Sequence, residues 1–178
     1  MRHALIVGTP QVGKSTLIRK LVRELGCTVS GYETKKEDGM ADAVNGSPIY
    51  IYKAGQPHRP TPENLVGTCK ERHPAPVPAA FDRAARLLED AETEGALIVM
   101  DEIGTMERCS ELFCAEIMKR LDGDKPVLAA VKHKDTAFLN AVRSHPNCRC
   151  FFLTEDNREE LFSLVLDFLR TQLEQADG

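Results

Sequence analysis

Apolar residues occur along this chain in two patterns, short unbroken runs and helical stripes, and the two alternate. Ala4-Leu5-Ile6-Val7, Ala96-Leu97-Ile98-Val99-Met100, Val127–Val131 and Arg149–Leu153 read as strands, and the unbroken runs among them are the pattern of strands buried on both faces. Between them lie helical stripes. From about Lys14 to Leu25, Leu17, Leu21 and Val22 share a face, with Arg19, Lys20, Arg23 and Glu24 largely on the other and Gly26 as the stop. Ala79–Glu94 aligns Phe81, Ala84, Ala85, Leu88 and Ala91, and Gly95 leads it into the next strand. Further helices carry Cys109 and Cys114, end near Ser144, and run from an Asp156 N-cap with Glu159 at N3 to about Leu173. Strands alternating with helices predict an α/β fold with a doubly wound, mainly parallel sheet and right-handed crossovers.

Two stretches break this rhythm. Cys27–Glu33 is β-prone, and Met40–Lys53 reads as a β-hairpin turning at Asn45-Gly46, so residues 27–56 are expected to form a small antiparallel hairpin extension. Tyr50 and Tyr52 share a face there, and packing is the expected role for both. Pro57–Pro78 holds six of the ten prolines and is expected to be an irregular loop, with His58 and His73 as solvated residues within it. At 178 residues the chain predicts a single domain, 1–178, with a sizeable core.

Composition narrows the functional classes. A net charge of −4 with no basic stripe argues against a nucleic-acid partner. No apolar run reaches membrane-spanning length, and Gly8 comes too early for a secretory signal, so a cytoplasmic protein with no membrane partner and reduced cysteines is expected. The six cysteines form no C-x-x-C pair, and no metal site through thiols is expected.

The strand–loop–helix at the start carries the main chemistry. Gly8-Thr9-Pro10-Gln11-Val12-Gly13-Lys14-Ser15-Thr16 fits G-x-x-x-x-G-K-[ST], with a strand before it and a helix after. In that setting successive backbone N–H groups and the helix N-terminus converge on phosphate oxygens. Lys14 is expected to reach the terminal phosphates and Ser15 to ligate Mg²⁺, so a nucleoside triphosphate is the expected ligand. Binding alone is not turnover. Asp101, closing a buried strand, is the second candidate for holding Mg²⁺, and Glu102 is placed to polarise an attacking water. Glu107, Lys132, Lys134 and Arg158 also follow strand ends, where ligands bind in open α/β sheets. For Arg158, contact with nucleotide and a structural role are both open readings.

Three blocks together resemble the cancer-related nucleoside-triphosphatase family: Gly8–Thr16, then Asp101-Glu102-Ile103-Gly104-Thr105-Met106-Glu107, then Thr154-Glu155-Asp156-Asn157-Arg158. Gly31-Tyr32-Glu33-Thr34 is similar to that family's Gly-aromatic-x-Thr strand. The resemblance implies a RecA-like P-loop NTPase fold and slow, Mg²⁺-dependent hydrolysis of several nucleoside triphosphates, ATP and GTP among them, to diphosphate and phosphate. It further implies nucleotide contacts along Gly8–Ser15 and Met100–Glu107; from their own positions Thr16, Asn157 and Arg158 join the candidate nucleotide contacts, and Glu102, Lys14 and Arg158 are the candidate catalytic set. Gln11 departs from the pattern, standing where the family usually has Gly, and Thr34-Lys35-Lys36 replaces an Arg-containing stretch. Competing readings are a small-molecule or nucleotide kinase and a nucleotide-dependent adaptor. A GTPase switch satisfies Asp101-x-x-Gly104 but lacks the guanine-reading Asn-Lys-x-Asp.

Overall fold

The core strands are β1 (His3–Gly8), β2 (Val29–Lys36), β6 (Leu97–Ile103), β7 (Val127–Lys132) and β8 (Cys148–Phe152), and they run parallel. Three antiparallel strands extend them: β3 (Ser47–Lys53), β4 (Leu65–Lys70) and β5 (His73–Pro76). In this computed structural model, which describes residues 1–176, all eight form one sheet in the order β5-β4-β3-β2-β6-β7-β1-β8. The helices are α1 (Lys14–Leu25), α2 (Pro78–Ala91), α3 (Glu111–Asp122), α4 (Ala137–Arg143) and α5 (Arg158–Ala176).

The sheet is wound on both faces, as the unbroken apolar runs require. Ala4 and Ile6 of β1 pack with Leu17 and Ile18 of α1 and with Val165 and Leu169 of α5. Leu5 and Val7 face the other way, into a cluster with Phe81 of α2, Phe113 of α3 and Leu139 of α4. A strand covered on both faces has no polar side to show, which is why its sequence does not alternate. Gly31 lets β2 join this core: at φ 95° it lies so close to β6 that a Cβ would sit 2.1 Å from the Val99 carbonyl oxygen.

The extension differs from the sequence expectation. The hairpin partner of β3 is β2, with Glu33 opposite Tyr52, and not the segment before Asn45-Gly46. Asp42 accounts for this, since its carboxylate accepts the backbone N–H of Val44 and Asn45 and closes a local turn that the flanking residues do not continue as a ladder. Nor is Pro57–Pro78 wholly irregular, because it contains β4 and β5. Pro74 and Pro76 sit on the outermost strand, where an absent N–H costs no ladder bond on the open side. The last helix begins at Arg158 rather than after an Asp156 cap. Asn157 ties up the approach instead, accepting from the Thr154 N–H at 2.8 Å and donating to the Phe152 carbonyl at 2.8 Å. Tyr50 and Tyr52 are both buried and stacked on one another, as packing residues.

Candidate active site

Parallel pairing carries the ends of β1, β2, β6 and β7 to one edge of the sheet, and the polar residues of the three sequence blocks meet there. The loop after β1 turns tightly into α1, with Gly13 at φ 108° and Gln11 at φ 64°, both in the left-handed region. Lys14 opens α1 almost wholly buried. Its Nζ donates to the carbonyls of Gly8 and Thr9 at 3.0 and 2.9 Å, which folds the side chain back across its own loop.

From the other side comes β6. Ser15 Oγ donates to Asp101 Oδ1 at 2.9 Å, so the hydroxyl and carboxylate expected to share a cation are adjacent. Hard oxygen donors of this kind suit Mg²⁺. Burial lifts the Asp101 carboxyl to about 6, the Ser15 hydrogen bond working against it and the neighbouring Glu102 and Glu33 adding to it.

Glu102 occupies a bulge. The β6–β7 register jumps from Asp101 opposite Ala130 to Ile103 opposite Val131, leaving Glu102 without a ladder partner. Such an inserted residue re-aims its side chain. Here the carboxylate reaches between two ammonium groups, Lys14 Nζ at 3.1 Å and Lys132 Nζ at 3.2 Å. Lys132, at the end of β7, is thereby part of the cluster, whereas Lys134 makes no ion pair among the described residues.

Glu107 lies deeper. It is buried, its Oε2 accepts the Gly104 N–H at 2.8 Å, and burial pushes its carboxyl up to about 7. Its visible task is to brace the turn after β6. Met100, Ile103 and Met106 turn their side chains into the core, so only their backbone can face a ligand. Thr9, Pro10, Gln11 and Thr16 are exposed around the loop, while Val12 is buried beneath it. Arg158 braces the loop as well: its Nη2 donates to the Val12 carbonyl at 2.9 Å, and its guanidinium lies over Gly13. Asn157 bonds Thr154 and Phe152 through its side-chain amide and makes no side-chain hydrogen bond to the phosphate loop among the described residues. On the β8 side of the loop an open cavity of about 580 Å³ is lined by Gly8–Val12, His133 and Phe152–Glu155; the acidic pair does not line it.

Residues from β2 and the extension complete the edge. Thr34 Oγ1 bonds both the Asp101 carbonyl and the Glu102 N–H, each at 3.2 Å. Glu33, level with Asp101, is held at 2.8 Å by His58, which also stacks on Tyr52 at 4.2 Å between ring centres. His58 is thus an exposed loop residue, as expected, but one tied down by Glu33 and Tyr52. No spacing rule pointed to these contacts, because they join segments far apart in sequence.

A family model described as NTPase matches residues 3–166. The chain belongs to this NTPase family. Among its relatives, the protein named nucleoside-triphosphatase THEP1 from Thermotoga sp. (strain RQ2) is 31% identical over 172 residues, covering 93% of this chain and 94% of that protein. Two solved structures share the fold of this NTPase-family member. One is THEP1 from Aquifex aeolicus, with a TM-score of 0.74 at 24% identity over 94% of this chain and 98% of that one. The other is a human cancer-related nucleoside triphosphatase, with a TM-score of 0.69 at 23% identity over 96% and 98%. Family, sheet topology and loop thus agree, and the expected α/β fold with a mostly parallel sheet is the observed one.

Proposed function

We propose that this NTPase-family chain hydrolyses nucleoside 5′-triphosphates to diphosphate and phosphate, with Mg²⁺ and weak base selectivity. One observation carries the reading: the phosphate loop and the acidic strand end touch, Ser15 to Asp101 at 2.9 Å and Lys14 to Glu102 at 3.1 Å. Ser15 and Asp101 would hold the cation, which when bound neutralises phosphate charge as it develops. Lys14 exchanges its carbonyl and carboxylate partners for phosphate oxygens. Glu102, held from its far side by Lys132, then keeps a carboxylate oxygen free to accept a proton from water. Arg158 fixes the loop through Val12 rather than by reaching into the acidic pair. A chain without the guanine-reading Asn-Lys-x-Asp is in keeping with weak selectivity.

Phosphate release from a panel of nucleoside triphosphates, with and without Mg²⁺, tests this. Release from several of them, abolished in Lys14→Ala, is the expected result. Glu102→Gln should keep nucleotide affinity and lose about a hundredfold in turnover, the usual range for a general base. Release that appears only with an added phosphate acceptor would instead identify a kinase.

A further inference from the structure

Glu102 stands at a bulge, and a bulge releases backbone groups as well as re-aiming a side chain. Pairing of β2 with β6 ends at Glu33 opposite Asp101, so Glu102 itself has no backbone partner on β2. The next residue on β2 is Thr34, level with Glu102. Its hydroxyl donates to the Asp101 carbonyl and accepts the Glu102 N–H, each at 3.2 Å. A hydroxyl can do both at once because it carries one proton and two lone pairs. Two positions back on the same face, Tyr32 donates its hydroxyl to the Glu102 carbonyl at 3.4 Å. The ring of Tyr32 is fully buried against Phe113, so that hydroxyl has a fixed origin.

These bonds hold the backbone on both sides of one residue, and that residue carries the carboxylate between Lys14 and Lys132. We propose that Thr34, supported by Tyr32, is a positioning residue that sets the aim of Glu102 by clamping the backbone on both sides of it at the bulge. The proposal rests on the reading of Glu102 as the group that activates water. No other side-chain oxygen bonds either the Asp101 carbonyl or the Glu102 N–H among the described residues. Losing the Thr34 hydroxyl removes the side-chain bonds to both groups of one peptide, and the strand end is then freer to shift. Displacements of about an ångström at a reacting group cost up to about a hundredfold in rate.

The experiment is a cycle of Thr34→Val, Thr34→Ser and Glu102→Gln, read by kcat, KM and the affinity for a fluorescent ATP analogue. Assays are run below the melting temperature of every variant. Valine keeps the shape of threonine and removes the hydroxyl. Thr34→Val is expected to lower kcat about tenfold to a hundredfold with nucleotide affinity unchanged. Thr34→Ser is expected to restore kcat to near the wild-type value. In the Glu102→Gln background Thr34→Val should have little further effect, because the group it aims is already gone. Should Thr34→Val fail to accumulate as folded protein, Tyr32→Phe carries the test, with a several-fold fall in kcat at constant affinity. An unchanged kcat in the soluble variant, or a loss that multiplies with that of Glu102→Gln, overturns the positioning role. A silent Glu102→Gln overturns instead the reading of Glu102 itself, so the two failures are separate.

Discussion

Gln11 holds its backbone at φ 64° in the middle of the phosphate loop, with its side chain exposed. For a residue with a Cβ the left-handed region costs about 1–2 kcal/mol, and glycine escapes most of that. Glycine also loses more entropy on folding, about 0.5–1 kcal/mol. The difference favours glycine. Gln11→Gly should therefore raise stability by about 0.5–1 kcal/mol, which for a chain of this size is about 1–4 °C in Tm. The loop conformation is already the one glycine prefers, so nucleotide affinity should stay within about twofold, a free-energy change near 0.4 kcal/mol. A thermal melt and a titration of the fluorescent ATP analogue check the two halves. A lower Tm would mean that the glutamine side chain stabilises the loop through contacts its exposure does not suggest. The residue was conspicuous in the sequence as a departure from a glycine; the structure supplies the backbone angle that makes the departure costly.

At the scale of elements, the joint between α2 and α3 contains a charge out of water. Arg120 is buried in α3, pairs with Glu92 just past the end of α2, and lies 3.6 Å from Glu116 one turn back. Its Nε and the Glu116 Oε2 have no hydrogen-bond partner among the described residues. Deleting one member of such a cluster strands the others, which costs more than the cluster contributes when intact. Arg120→Ala should destabilise by about 3 kcal/mol, through the buried Glu116 carboxylate and the lost packing of the long stem. Arg120→Met with Glu116→Leu should recover much of that, as apolar replacement of buried charges often does. Urea melts of the three proteins decide it, and a single variant as stable as its parent would contradict the account. Elements of this kind were only partly legible. The core strands β1, β6, β7 and β8 and the helices α1, α2 and α5 follow from runs and stripes whose period is local, whereas β2, expected in the antiparallel extension, joins the parallel core beside β6. The pairing of β3 with β2, and the strands β4 and β5 amid prolines, depend on contacts between segments and on an open sheet edge, which no local pattern encodes.

For the molecule as a whole, the legible and illegible parts of the site divide in the same way. Gly8–Ser15, Asp101 and Glu102 are read from motif and strand end, because their chemistry demands fixed residues at fixed spacing. Thr34, Lys132 and Arg158 are also visible in the sequence as candidates, but their partners, the Asp101–Glu102 peptide, the Glu102 carboxylate and the Val12 carbonyl, are set only once the sheet edge is assembled. The opposite edge of the sheet shows a consequence that concerns stability alone. His3, at the start of β1, is fully buried, and its Nε2 lies 2.9 Å from the Leu121 carbonyl. Burial lowers its pKa to about 4; the bond to Leu121 works against this, while nearby His145 and Arg2 add to it. In the unfolded chain the same imidazole titrates at its ordinary value of 6.5. Between these values the unfolded state binds the proton and the folded state does not, so stability falls as the pH is lowered from about 6.5 towards 4. The slope from this one group approaches about 1.4 kcal/mol per pH unit. Glu107 acts in the opposite sense: its folded pKa of about 7 lies above the ordinary value of 4.5, so its contribution is present at low pH and is lost as pH rises through that window. Asp101, raised by burial from 3.8 to about 6, acts in the same sense as Glu107, so the wild-type profile blends all three and a variant isolates the share of His3. Glutamine at position 3 can still donate to Leu121 but does not titrate. The stability of wild type minus that of His3→Gln, from urea melts at intervals between pH 4 and 8, should therefore rise with pH up to about 6.5 and then level. A difference independent of pH would show that His3 takes up its proton equally well in the folded protein, and would remove burial as the cause.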